Sequence, residues 1–155
     1  MSEIATPGLN FVGELSAAVG PPIDVGTTPH GIRRIVPILA GEMTGPRLAG
    51  KLLPGGTDYQ IWRTDGVTEI HARYVIEAPT GARLYVEASG LRRAPAAIME
   101  RLYRGEQVDQ GSIYLRTVPR FETSDSEFVW AMQSIFLCAG ARFPDRVVLR
   151  FFEVT

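Results

Sequence analysis

Apolar and polar residues alternate along most of this chain, and turn-forming residues interrupt the alternation at regular intervals. LNFVGELSAAV (9–19) reads as an opening strand, and GPPIDVGTTPHG (20–31) as a loop rich in residues that disfavour regular structure. IRRIVPIL (32–39) resumes strand character, with Pro37 predicting an edge or a bulge because it cannot donate a ladder hydrogen bond. A short strand in RLAGKLL leads to the turn Pro54-Gly55-Gly56 and then to the strand TDYQIWR (57–63). Thr64-Asp65-Gly66 suits a hairpin loop, since Asp-Gly tolerates positive φ, and VTEIHARYVIEA (67–78) pairs back across it. ARLYVEASG, SIYLRTVPRFET, EFVWAMQSIFLCAG and DRVVLRFFEVT complete the β segments.

One stretch has a different period. APAAIMERLYRGE (94–106) has Pro near its start, Ile98, Met99 and Leu102 toward one face, and Gly105 as a stop. It predicts a helix over about 94–104, the one helix of an otherwise all-β chain. The expected fold is therefore a single domain over 1–155: an antiparallel β-barrel of roughly eight to ten strands, lipocalin-like in general shape. EFVWAMQSIFLC is apolar on both strand faces, so both need cover; a helix, the barrel interior or a second subunit could supply it. This makes a homo-oligomer one expectation.

Composition narrows the functional classes. A chain of 155 residues with 45% hydrophobic side chains can bury a real core. Sixteen basic against seventeen acidic side chains give a net charge of −1, which argues against a nucleic-acid partner. The single Cys138 excludes an intramolecular disulfide, and MSEIATPG lacks the basic and apolar parts of an export signal. No apolar run matches a membrane helix, so the expectation is a cytoplasmic protein with no membrane partner.

Several motifs fail on inspection. GPRLAGK (45–51) resembles a phosphate-binding loop, but Leu52 replaces the hydroxyl residue and Pro54-Gly55-Gly56 blocks the helix that should follow. His30, His71 and Cys138 show no paired metal-ligand spacing, so neither metal nor cofactor is expected. Gly-x-Ser-x-Gly is absent, and Cys138 lies among apolar neighbours that keep a thiol protonated.

The polar strand positions form a more informative set. Asp58 and Gln60 share one face of their strand, His71 and Arg73 one face of the next, and Tyr114 and Arg116 repeat the pattern. Facing inward, they would line a cavity in which Arg73 and Arg116 hold negative charge, Asp58 or His71 moves a proton and Tyr114 donates. Facing outward, the same residues would make ordinary cross-strand ion pairs. Trp62 and Trp130 are candidate walls or core residues, and the loop with His30 could close the mouth.

GPPIDVGTTPHGIRRIVPILAGE, GPRLAGKLLPGGTDYQIWRTDGVTEIHARY, YLRTVPRFET and the closing strand together resemble the domain of unknown function 3237 family. The matching positions are Gly55, Gly56, Asp58, Gln60, Asp65, Gly66, Arg73, Arg116, Phe121 and Glu122. Tyr59 stands where the family pattern has Trp, and His71 where it has an acidic residue. The resemblance implies an antiparallel barrel with a helix at one end, and no particular reaction. With Glu122 added to the ligand-binding candidates, the functional expectation is a barrel that binds a small oxygenated, partly apolar molecule. It would act as a cofactor-independent isomerase, cyclase or lyase. The alternatives are a non-catalytic carrier or sensor, and a structural barrel with a filled core.

Overall fold

The computed structural model describes residues 3–155. Ten strands follow in chain order: β1 (Leu9–Val19), β2 (Ile23–Thr28), β3 (Gly31–Thr44), β4 (Gly50–Leu52), β5 (Gly56–Trp62), β6 (Thr68–Glu77), β7 (Arg83–Arg93), β8 (Tyr114–Glu122), β9 (Ile135–Arg142) and β10 (Arg146–Val154). Every pairing is antiparallel. The ladder runs β1-β10-β9-β8-β7-β6-β5-β3, and β3 pairs back on β1, which closes the barrel. Short β4 shares the gap between β3 and β6 with β5, and β2 extends the β3 side as an outer flap. Closure leaves the barrel wall itself with no free edge.

The turns form where the sequence provides for them. Gly55 and Gly66 adopt φ of +105° and +89°, the region only glycine enters cheaply, and they turn the chain into β5 and from β5 to β6. The β1–β3 register slips by one residue at Leu39, two positions after Pro37, while Pro37 itself stays in regular register with Thr57 of β5.

Two parts of the sequence reading are corrected. Residues 20–31 are not a loop: β2 pairs with β3 from Ile23↔Ile35 to Thr28↔Gly31, and the outcome is a hairpin. Residues 127–138 are not one strand: Ser126–Met132 forms 3-10 turns, and only from Ile135 does the chain join the sheet. Asp125 caps those turns by accepting from the Glu127 N–H. Phe128 and Ala131 go into the core, while Val129 and Met132 stay exposed, so the two-faced strand that would need a partner does not form.

The interior has two unlike halves. Around the 3-10 turns, Phe121, Phe136 and Phe151 pack with Leu84, Ile76 and Met43 into a solid floor. The opposite end, where β5, β7 and β9 finish, is plugged by α1 (Ala96–Tyr103). Met99 and Leu102 of the helix meet Ile70 and Leu115 in a second apolar cluster. Pro95 precedes α1, and Gly105, at φ +79°, follows it. Between floor and plug lies a hollow.

Candidate functional site

Strand β5 is inverted relative to its neighbours. Its polar members Asp58, Gln60 and Trp62 point inward, and Tyr59 stands outside. They are joined in one line of hydrogen bonds. The Trp62 indole N–H donates to Gln60 Oε1 at 2.8 Å, and Gln60 Nε2 donates to Asp58 Oδ2 at 2.7 Å. An indole can only donate, so the Gln60 amide has one orientation and must present its N–H groups to the carboxylate. The backbone N–H of His71 donates to the other oxygen, Asp58 Oδ1, at 3.0 Å.

Two arginines face this carboxylate from across the barrel. Arg92, near the end of β7, is 2% exposed, and Arg142 ends β9. Both are close enough to act on Asp58 through space. Arg142 is anchored by donating to the carbonyls of Phe143 and Arg146. Arg92 lies 4.9 Å from the Trp62 ring centroid, yet its Nε has no hydrogen-bond partner, and it forms no ion pair among the described residues. Tyr74 Oη and Thr117 Oγ1 are likewise buried without partners. All of these except Trp62 line one cavity of about 60 Å³, whose remaining wall is aliphatic. That volume is room for about four waters, or for a compound of about five non-hydrogen atoms.

Above the cavity, Trp62 meets Tyr103 of α1 edge-on at 5.0 Å, and the Arg34 guanidinium lies 4.0 Å over the Tyr103 ring. Arg34 Nε in turn donates to Asp24 of β2 at 2.9 Å. Helix and β2–β3 hairpin therefore close the barrel jointly. Trp62 also lines an open groove of about 690 Å³ beside α1, so it stands between groove and cavity.

Burial pushes the Asp58 carboxyl above the ordinary aspartate range, although Gln60, the His71 N–H, Arg92 and Arg142 all pull it down. Asp58 is half-buried, and it lines the cavity. Burial likewise lowers Arg92 to about 10, which leaves it charged at neutral pH, and raises Tyr74 well above the usual phenol range. A carboxyl raised on folding favours the fold while it is protonated, and that contribution is lost as pH rises through its folded value. Stability of the wild type should therefore fall relative to Asp58→Asn as pH climbs from about 3.8, the ordinary aspartate value. Urea midpoints across a pH series measure this, and parallel curves would contradict it.

Of the expected site residues, Asp58, Gln60 and Trp62 come together. The others do not. His71 and Arg73 point outward from β6 because Ile70, Ala72, Tyr74 and Ile76 take its inner face. There they share Glu87, at 3.1 Å from His71 Nε2 and 3.3 Å from Arg73. Tyr114 and Arg116 lie on the outer face of β8, whose inner face is Leu115, Thr117, Pro119 and Phe121. Their side chains stack, with the Arg116 guanidinium 5.3 Å from the Tyr114 ring. Glu122 is exposed on the same face. His30 is exposed at the tip of the β2–β3 hairpin. Trp130 belongs to the floor, stacked on Arg47 and packed near Phe136. Cys138 is buried, its thiol pushed up to about 12. No group of three or more His, Cys, Asp or Glu able to hold a metal lies among the described residues.

The missed residues were Arg92, Arg142, Tyr74 and Thr117. The signal for them was parity. Arg92 continues the inward series Leu84, Val86, Ala88, and Arg142 continues Phe136 and Cys138.

Residues 7–154 match the family described as "Protein of unknown function (DUF3237)". The chain belongs to this family. A UPF0311 protein of Bradyrhizobium diazoefficiens is 42% identical over 151 residues, covering 96% of this chain and 99% of that one. The crystal structure of a conserved protein of unknown function from Rhodopseudomonas palustris superposes with a TM-score of 0.94 at 40% identity, over 98% of this chain and 100% of the other. An enzyme from Penicillium herquei shares the fold, with a TM-score of 0.74 at 18% identity over 100% and 99% of the two chains. No helix among the described residues is long and apolar enough to cross a membrane.

Proposed function

We propose that this DUF3237 barrel binds a small, oxygenated, partly apolar compound in its closed end and moves a proton on it without a cofactor. One observation carries the reading: a carboxylate held on both oxygens faces an enclosed, largely aliphatic cavity in which a guanidinium, a phenol and a hydroxyl have no partner. Buried polar groups cost free energy when unpaired, and a cavity lined by three of them suits an oxygenated occupant.

The chemistry follows from the residues. Asp58 takes a proton from carbon beside a carbonyl, and the C–H electron pair moves onto the carbonyl oxygen. Arg142, with Tyr74 or Thr117, holds that oxygen while it is negative. Return of the proton from Asp58 to a different atom gives an isomerised product. Where the compound carries a leaving group, the enolate re-forms the carbonyl as it expels that group, giving an alkene, or displaces it within the molecule to close a ring. The Asp58 proton then goes to the departing group. A carboxyl raised by burial above the ordinary aspartate range is a stronger base than an ordinary aspartate. Gln60 and Trp62 hold it in position.

The test is hydrogen–deuterium exchange of butanone and pyruvate in D₂O, followed by proton NMR. Wild type should accelerate exchange, and Asp58→Asn should slow it about a hundredfold, the lower range for loss of a general base. Equal rates in the two proteins would refute the catalytic role. The aliphatic wall also suits a carrier, and binding without any exchange by wild type would favour that reading.

A further inference from the structure

Charge inside the barrel does not balance. Two guanidiniums line the cavity, Arg92 buried and Arg142 half-buried, against a single carboxylate, Asp58. The other charged groups near this end are already engaged or in water. Arg34 donates to Asp24 at the rim, and the Asp145 side chain, on the β9–β10 turn, is 82% exposed beside Arg146. One positive charge is thus left over in a closed, mostly aliphatic space. An uncompensated buried charge is among the costlier features a fold can keep.

The two arginines are not equivalent. Arg142 spends N–H groups on the backbone carbonyls of Phe143 and Arg146, which fixes it as part of the wall. Arg92 has no such anchor; its guanidinium lies against the Trp62 ring with Nε unpaired. It is the group with donors to give. A planar guanidinium with free N–H groups matches a carboxylate in a paired, two-bond geometry.

Building on the proton-transfer reading above, we propose that the occupant is a monoanion, a short-chain carboxylate such as an oxo acid, whose carboxylate is held by Arg92. Bound in this way it brings the charges lining the cavity to zero: two guanidiniums against Asp58 and the ligand. Proton transfer then moves the second negative charge from Asp58 onto the carbonyl oxygen near Arg142 and leaves the total unchanged. No step of the reaction has to create net charge inside the barrel. The aliphatic wall takes the chain of the acid, and the cavity size limits it to about five non-hydrogen atoms unless Trp62 moves aside.

The probes are propanoate and its neutral isostere propanamide, each of about that size. Thermal unfolding is measured against concentration of each, on wild type, Arg92→Met and Arg142→Met. Methionine keeps much of the arginine's length without the charge, and the two variants guard against misfolding of either one. The change in tryptophan fluorescence on titration, compared between wild type and Trp130→Phe so that Trp62 alone reports, gives a second readout. The expected result is a saturable rise in Tm with propanoate, at least tenfold less response to propanamide, and loss of saturation in Arg92→Met. Salt effects of a carboxylate would persist in that variant and so are subtracted. Equal saturable responses to acid and amide would overturn the monoanion and leave the small-molecule cavity standing. So would a propanoate response unchanged in Arg92→Met. No saturable response to either probe, together with no butanone or pyruvate exchange, would overturn both readings.

Discussion

Phe136→Ala is expected to lower the stability of this barrel by about 3–5 kcal/mol, read as a fall in the urea midpoint at constant slope. Phe136 is 1% exposed and points from β9 into the floor. There it meets Phe121 edge-on at 5.1 Å and lies 6.0 Å from Trp130. Removing the ring loses its transfer free energy and leaves a void that the closed barrel cannot collapse to fill, because every wall strand is fixed by partners on both sides. In a chain of this size the loss corresponds to a fall in Tm of roughly 10 °C. The neighbouring Ile135 is the control. It is 66% exposed on the outer side of the same strand, and Ile135→Ala should cost less than about 0.5 kcal/mol. Similar losses at the two positions would mean that the floor is not packed as described. The floor matters for function only as a base: it holds β5, β7 and β9 so that their far ends converge.

Local pattern explains how much of this arrangement could be read from the chain. The hairpins at Gly55 and Gly66 and the helix between Pro95 and Gly105 rest on residues whose backbone preferences act within a few positions, and they form where expected. Strand faces need one more step. On β6 and β8 the apolar set lies inside, so the alternation itself places His71, Arg73, Tyr114 and Arg116 outside. On β5 the rule reverses, and Asp58 and Gln60 go in although they are polar. No property of β5 alone announces this; it becomes favourable only because Arg92 and Arg142 arrive from strands that follow in the chain. Those two arginines share parity with apolar inner faces, so the periodicity marked them, but an arginine at a strand end is ordinarily solvated. The turn at 126–132 failed for the opposite reason. Its residues are apolar enough for a strand, and only the Asp125 cap and the need to close the barrel floor select 3-10 turns instead.

The same long-range convergence fixes the sign of a stability change at Arg92. Arg92→Met should stabilise the protein in the absence of ligand, by about 2 kcal/mol, because an ion taken out of water without a partner costs several kcal/mol of desolvation. The guanidinium is 2% exposed, its Nε is unpartnered and it forms no ion pair among the described residues, so its removal relieves a desolvation cost that little offsets. Two terms oppose the gain. Contact with the Trp62 ring, at 4.9 Å, contributes about 0.5–2 kcal/mol. Asp58 also loses one of the two positive groups that favour its ionised form, which pushes its carboxyl further up. A carboxyl can answer by taking a proton, so the second term is bounded, and the net change stays positive. The urea midpoint should rise at constant slope, most clearly on the acid side where Asp58 is already protonated. A gain in stability at a buried residue, coupled to loss of the propanoate response, is the mark of a group kept for binding at the expense of the fold. A loss of several kcal/mol would instead make Arg92 a structural member of the wall.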